Sequence, residues 1–199
     1  MSLRFIPNAI CVARMLLVAP LVLWIVEGRY AAALVVLVVA GLSDGLDGFL
    51  AKRFEWQTRI GGLLDPAADK LLLVAVFVTT TWLGLVPWWL AAAAIGRDVM
   101  IALGALIFRL WFGPLRGRPT IVSKINTLLQ LGYLLGVMMN AAFEFPPEEV
   151  VEALAVITLI TTLLSGWDYI FAFTRRAWHE GAPSSGMTAA TSAGRAGRH

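Results

Sequence analysis

Four aspartates, Asp44, Asp47, Asp65 and Asp69, stand close together in a chain that is otherwise strongly apolar. An ionised carboxylate inside a bilayer is costly, so an acid embedded among apolar helices is a functional candidate. Asp44 and Asp47 are one i,i+3 step apart, and Asp65 and Asp69 one i,i+4 step. On helices, each pair therefore lies on a single face. Four carboxylates converging in a dry cleft repel one another unless cations intervene. With no His or Cys nearby, hard oxygen ligands suit Mg²⁺ or Mn²⁺ rather than zinc. A set of this size can hold two divalent ions about 4 Å apart, an arrangement used for phosphoryl chemistry.

The residues around the acids fit that reading. Gly45 and Gly48 flank the first pair, and Gly61 and Gly62 precede the second by a turn. Without side chains, a helix or a phosphate can approach the backbone closely there. Lys52 and Arg53 follow the first pair, where they can meet a diphosphate, and Thr58 can add a hydrogen bond. Two other readings use the same acids. They can pair with Arg14, Lys70 or Arg97, or they can relay protons in a small transporter. Against a transporter, the sequence shows neither an internal repeat nor helices broken near the midplane.

The elements that must position these residues follow from composition. The 199 residues are 59% apolar and 15% charged, with a mean hydropathy of +0.77; a soluble domain carries about a quarter charged residues. Several long apolar runs, rather than one short one, exclude a cleaved signal as their explanation. The expectation is an all-α integral membrane protein, a bundle of six transmembrane helices in one domain over residues 1–180. A short interfacial segment, Met1 to Pro7, leads into it, and a disordered Gly/Ala/Ser/Thr tail over residues 181–199 follows it. The spans are expected near 8–26, 30–50, 60–83, 89–108, 125–143 and 150–173, each about 20 residues long. A basic loop is expected over 109–124. The short connection between spans two and three makes them antiparallel neighbours whose acidic faces can meet.

Charge sets the orientation. Lys52, Arg53, Arg59, Arg109, Arg116, Arg118, Lys124, Arg175 and Arg176 gather on one side, and Glu27, Glu144, Glu148 and Glu149 on the other. The positive-inside rule puts both termini, and with them the four acids, on the cytoplasmic side, as in a bacterial inner membrane. The net charge is only +3 and the basic residues flank apolar runs, so they read as membrane topology and not as a nucleic-acid surface. The single Cys11 excludes an internal disulfide.

The run Asp-x2-Asp-Gly-x2-Ala-(basic)-x8-Gly-x3-Asp-x3-Asp resembles the signature of the CDP-alcohol phosphatidyltransferases. Asp44, Asp47, Gly48, Ala51, Lys52, Gly61, Asp65 and Asp69 carry it. Lys52 stands where the family usually has Arg, with Arg53 beside it. Upstream, Pro7-Asn8-x-x-Cys11-x-x-Arg14 resembles a family segment in which a hydroxyl residue occupies the Cys11 position. The resemblance implies that Asp44, Asp47 and Asp65 ligate two divalent ions, and that Asp69 reaches a metal and serves as general base. It implies a CDP-diacylglycerol site that includes Asn8, Gly48, Ala51, Lys52, Arg53, Thr58 and Gly61, and a homodimer. The later segments Gly96 to Met100 and Arg118 to Thr127 resemble those of the eukaryotic-type cardiolipin synthases, whose acceptor is phosphatidylglycerol. Phosphatidylglycerophosphate synthases, which use glycerol 3-phosphate, share the Leu64-Asp65-Pro66-x-Ala68-Asp69-Lys70 run. For either acceptor, Arg97, Arg118 and Lys124 are the expected phosphate-binding residues. Asp98 reads equally as a local ion-pair partner of Arg97 and as a catalytic group, and Asn126 and Asn140 read as interhelical hydrogen-bonding residues.

Overall fold

A computed structural model describes the backbone over residues 6–53, 61–112 and 121–180, and side chains over 12–43, 68, 70–107 and 121–171. Six helices make up this part: α1 Ile6–Val26, α2 Tyr30–Arg53, α3 Gly61–Trp82, α4 Trp88–Phe112, α5 Ile121–Phe143 and α6 Glu148–Glu180. No strand occurs among the described residues. Thr58, Arg116 and Arg118, the first five residues and the tail from residue 181 lie outside them.

Three turns at one end of the bundle are encoded locally. Gly28 adopts φ 71° and Gly84 φ 76°, a left-handed conformation that glycine enters without steric cost. Arg29 N–H donates to the Trp24 carbonyl at 2.8 Å and Gly28 N–H to that of Ile25 at 3.1 Å. Leu85 and Gly84 repeat the pattern on Thr80 and Thr81. This paired closure satisfies carbonyls that the helix end leaves without partners. Pro87 and Pro147 stand just before α4 and α6, and Glu148 and Glu149 in the first turn of α6 complement its dipole. Asn140 Nδ2 donates to the Pro146 carbonyl at 2.8 Å, so Asn140 braces the α5–α6 turn rather than bridging two helices.

Around the bundle α1 packs on α2 and α3, α2 on α5, α5 on α6, and α6 on α4, with lighter α3–α4 and α3–α5 contacts. Leu21, Ile25, Leu37, Val76, Phe77, Leu90, Tyr133 and Met138 form the core. Leu16, Leu128, Leu163 and Trp167 are among the large apolar side chains left outside. Helices apolar on both inner and outer faces are suited to lipid. By length and composition, the segments Trp88–Ile107, Ile121–Phe143 and Glu148–Phe171 can each cross a membrane.

One expectation changes. The helices overrun the apolar segments: α2 continues to Arg53, α4 to Phe112 and α6 to Glu180, while α5 begins at Ile121. The expected 109–124 loop is thus helical at both ends. Loss of hydropathy marks where lipid would end, whereas backbone hydrogen bonding does not depend on lipid and carries a helix past that point. Among the described residues α2 and α3 each pack on α1.

Candidate active site

The signature residues fall on α2 and α3. In α2, Ala33, Leu37 and Ala40 form a buried stripe, and positions 44 and 47 continue it at the same i+3/i+4 steps. In α3, Leu73, Val76 and Thr80 are buried, and positions 65 and 69 extend that stripe toward the helix start. On α1, Arg14 shares the inward stripe of Leu21 and Ile25 and is only 2% exposed. It has polar partners, as a buried guanidinium requires. The side chains of Asp44, Asp47, Asp65 and Asp69 lie outside the described residues, as do those of Asn8, Gly48, Ala51, Lys52 and Arg53. Gly61 begins α3. At 1.5 Å per residue, the four aspartates stand about 6–14 Å inside the ends of their helices.

One residue beyond Asp69, a polar network is fully described. Lys70 Nζ on α3 reaches Asp98 Oδ2 on α4 at 2.6 Å, and Arg97 Nη1 reaches Asp98 Oδ1 at 2.7 Å. Arg97 Nη2 donates to Ser123 Oγ on α5 at 2.6 Å and to Ser165 Oγ on α6 at 2.5 Å. Four helices therefore meet at one buried cation. The Arg97 side chain is 4% exposed, Asp98 10% and Lys70 38%, so a dry guanidinium–carboxylate pair is capped by a half-wet ammonium. Arg97 Nε is buried and has no hydrogen-bond partner.

The network continues along the α5–α6 seam. Position 126 meets 162 across the seam, 123 and 165 meet on Arg97, and a further i+4 step on each antiparallel helix sets 130 opposite 158. Ser123 and Ser165 flank Arg97 in the first layer. In the second, Asn126 Oδ1 accepts from Thr162 Oγ1 at 2.9 Å and from Thr161 Oγ1 at 3.1 Å. Gln130 and Thr158 make the third layer, and both are buried, with Gln130 Nε2 and Thr158 Oγ1 lacking partners. Asn126 Nδ2 lacks one too. Beyond this the seam turns apolar at Leu134 and Leu154.

Of the residues expected to meet an acceptor phosphate, Arg97 is already tied to Asp98 and two serines, Lys124 is exposed at the start of α5, and Arg118 lies outside the described residues. Asp98 is the ion-pair partner of Arg97, and Asn126 bonds across helices, as expected. Ser123, Ser165, Gln130, Thr158 and Thr162 escape a sequence reading, because single hydroxyls and amides carry no charge signal. Their i+3/i+4/i+7 spacing on α5 and α6 is the only trace they leave.

The chain belongs to the CDP-alcohol phosphatidyltransferase family, whose pattern it matches over residues 4–167. It is 32% identical over 180 residues to a human cardiolipin synthase (CMP-forming), covering 82% of this chain and 60% of that protein. It is 29% identical over 186 residues to a probable cardiolipin synthase of Drosophila melanogaster, covering 85% and 58% of the two chains. To a CDP-diacylglycerol–glycerol-3-phosphate 3-phosphatidyltransferase of Yersinia pestis it is 31% identical over 153 residues, covering 73% and 78%. The chain thus spans about 60% of the length of the cardiolipin synthases it matches.

Proposed function

We propose that this chain transfers a phosphatidyl group from CDP-diacylglycerol to a hydroxyl of phosphatidylglycerol, giving cardiolipin and CMP. What supports the reading most is that the paired signature aspartates fall at helical spacing from the buried residues of α2 and α3. The chemistry of the donor set, four carboxylates with no soft ligand, fits two Mg²⁺ or Mn²⁺ ions held by Asp44, Asp47, Asp65 and Asp69. When bound, such ions neutralise a diphosphate and a departing nucleotide. Asn8, Gly48, Ala51, Lys52, Arg53, Thr58 and Gly61 hold the CDP portion. Asp69 takes the proton of the acceptor hydroxyl as its oxygen attacks the phosphorus that bears the diacylglycerol. The bond from that phosphorus to CMP breaks, and CMP leaves with its electron pair.

In this reading all six helices cross the membrane, both termini and the site face the cytoplasm, and the working unit is a homodimer. Arg97, Arg118 and Lys124 receive the acceptor's phosphate. The similarity to the Yersinia enzyme supports a second acceptor, glycerol 3-phosphate. The test is CMP release by purified protein from CDP-diacylglycerol, with phosphatidylglycerol and glycerol 3-phosphate offered in parallel and Mg²⁺, Mn²⁺ or EDTA present. Cardiolipin formation that needs the metal supports the proposal. Phosphatidylglycerophosphate as the only product moves it to the second acceptor. No metal-dependent CMP release with either acceptor overturns it.

A further inference from the structure

Asp98 divides its two oxygens between helices: Oδ2 holds Lys70 of α3 at 2.6 Å and Oδ1 holds Arg97 of α4 at 2.7 Å. Lys70 immediately follows Asp69 in sequence. The α3–α4 contact is otherwise light compared with the packing of α3 on α1, so this carboxylate is a principal polar tie between the two helices. On a helix, anchoring one side chain restricts rotation about the axis. Holding the Lys70 ammonium toward α4 therefore sets the azimuth of the turn that carries Asp65 and Asp69, which stand about 140° and about 100° around the helix from Lys70. The same carboxylate sets the Arg97 guanidinium, whose other amino group is fixed by Ser123 and Ser165.

We propose that Lys70 and Asp98 are positioning residues: through a shared carboxylate they lock the aspartate-bearing turn of α3 in register with Arg97 on α4. The inference rests on the proposed reading of the four aspartates as the metal and base site. Lys70 itself touches no substrate. Its ammonium is spent on Asp98, and it acts by fixing where its helix points.

The test uses full-length protein with Lys70→Met, which severs the tie but leaves the Arg97–Asp98 pair intact, and Lys70→Arg, which can restore a cation to Asp98. Lys70→Met is expected to lower kcat about 10- to 100-fold, the loss that misplacement of reacting groups produces, with KM for CDP-diacylglycerol nearly unchanged. Mn²⁺ bound to the purified protein, read by electron paramagnetic resonance, should weaken in parallel, and Lys70→Arg should recover both. Should Lys70→Met not fold, Lys70→Gln gives the same comparison with one donor retained. Wild-type kcat and Mn²⁺ affinity in a folded Lys70 variant would overturn the tie, and so would a rise in KM alone, which makes Lys70 a substrate contact. Wild-type protein that neither binds Mn²⁺ nor releases CMP refutes the underlying site instead.

Discussion

Replacing Asp98 by alanine perturbs the most connected point of the described structure. In the native network the Arg97 side chain is 4% exposed, and among the described residues its charge is balanced by one carboxylate, itself 10% exposed. Loss of that carboxylate leaves, among the described residues, a guanidinium facing two serine hydroxyls, with Nε already lacking a partner. Breaking a buried pair in this way costs about 3–5 kcal/mol, because the remaining charge cannot return to water. Lys70 adds little, since at 38% exposure its ammonium can turn outward. For a chain of this size each kcal/mol moves Tm by about 2–4 °C, so Asp98→Ala should lower Tm by about 6–20 °C. The informative partner is the double variant Arg97→Leu/Asp98→Ala, which removes both charges together and should recover most of the loss. Thermal unfolding of the four proteins in one detergent closes the cycle, with a coupling of about 3 kcal/mol expected. A drop under about 2 °C in Asp98→Ala, or additive losses in the double variant, would falsify the claim that this pair is buried and mutually dependent.

Gln130→Met should be neutral or stabilising by about 1–3 kcal/mol, because it removes a buried amide whose Nε2 has no partner while keeping similar volume. A fall in Tm equivalent to more than about 1 kcal/mol would show that this amide is satisfied in the native protein. Gly28→Ala should cost about 1–2 kcal/mol from its left-handed φ of 71° alone, since a Cβ there meets nothing within 4 Å. The check is chemical denaturation, and an unchanged midpoint refutes it. Asp69→Asn should lower CMP release at least about 10²-fold, as loss of a general base does. Full turnover in that variant ends the role given to Asp69.

The fold was largely legible because long apolar helices announce themselves. Long apolar runs, the Gly28 and Gly84 stops and the Pro87 and Pro147 starts all act within a few residues of chain. Helix ends at the other face were misplaced, because hydropathy falls where lipid stops while hydrogen bonding carries α4 and α6 onward. The aspartates stood out for a different reason. Charge is so costly among apolar helices that spacing alone marks them, and the inward stripes of α2 and α3 are periodicities already present in the residues.

Partnership was not written in the chain. That Lys70 reaches across to Asp98, that Ser123 and Ser165 close on Arg97, and that Asn126 meets Thr162 are matters of which helices pack together and in what register. Such contacts join positions 26 to 68 residues apart, and nothing local encodes them. The sequence determined where the paired carboxylates sit along α2 and α3. Only the packing decided that the turn bearing Asp65 and Asp69 is tied, through one shared carboxylate, to a buried arginine on another helix.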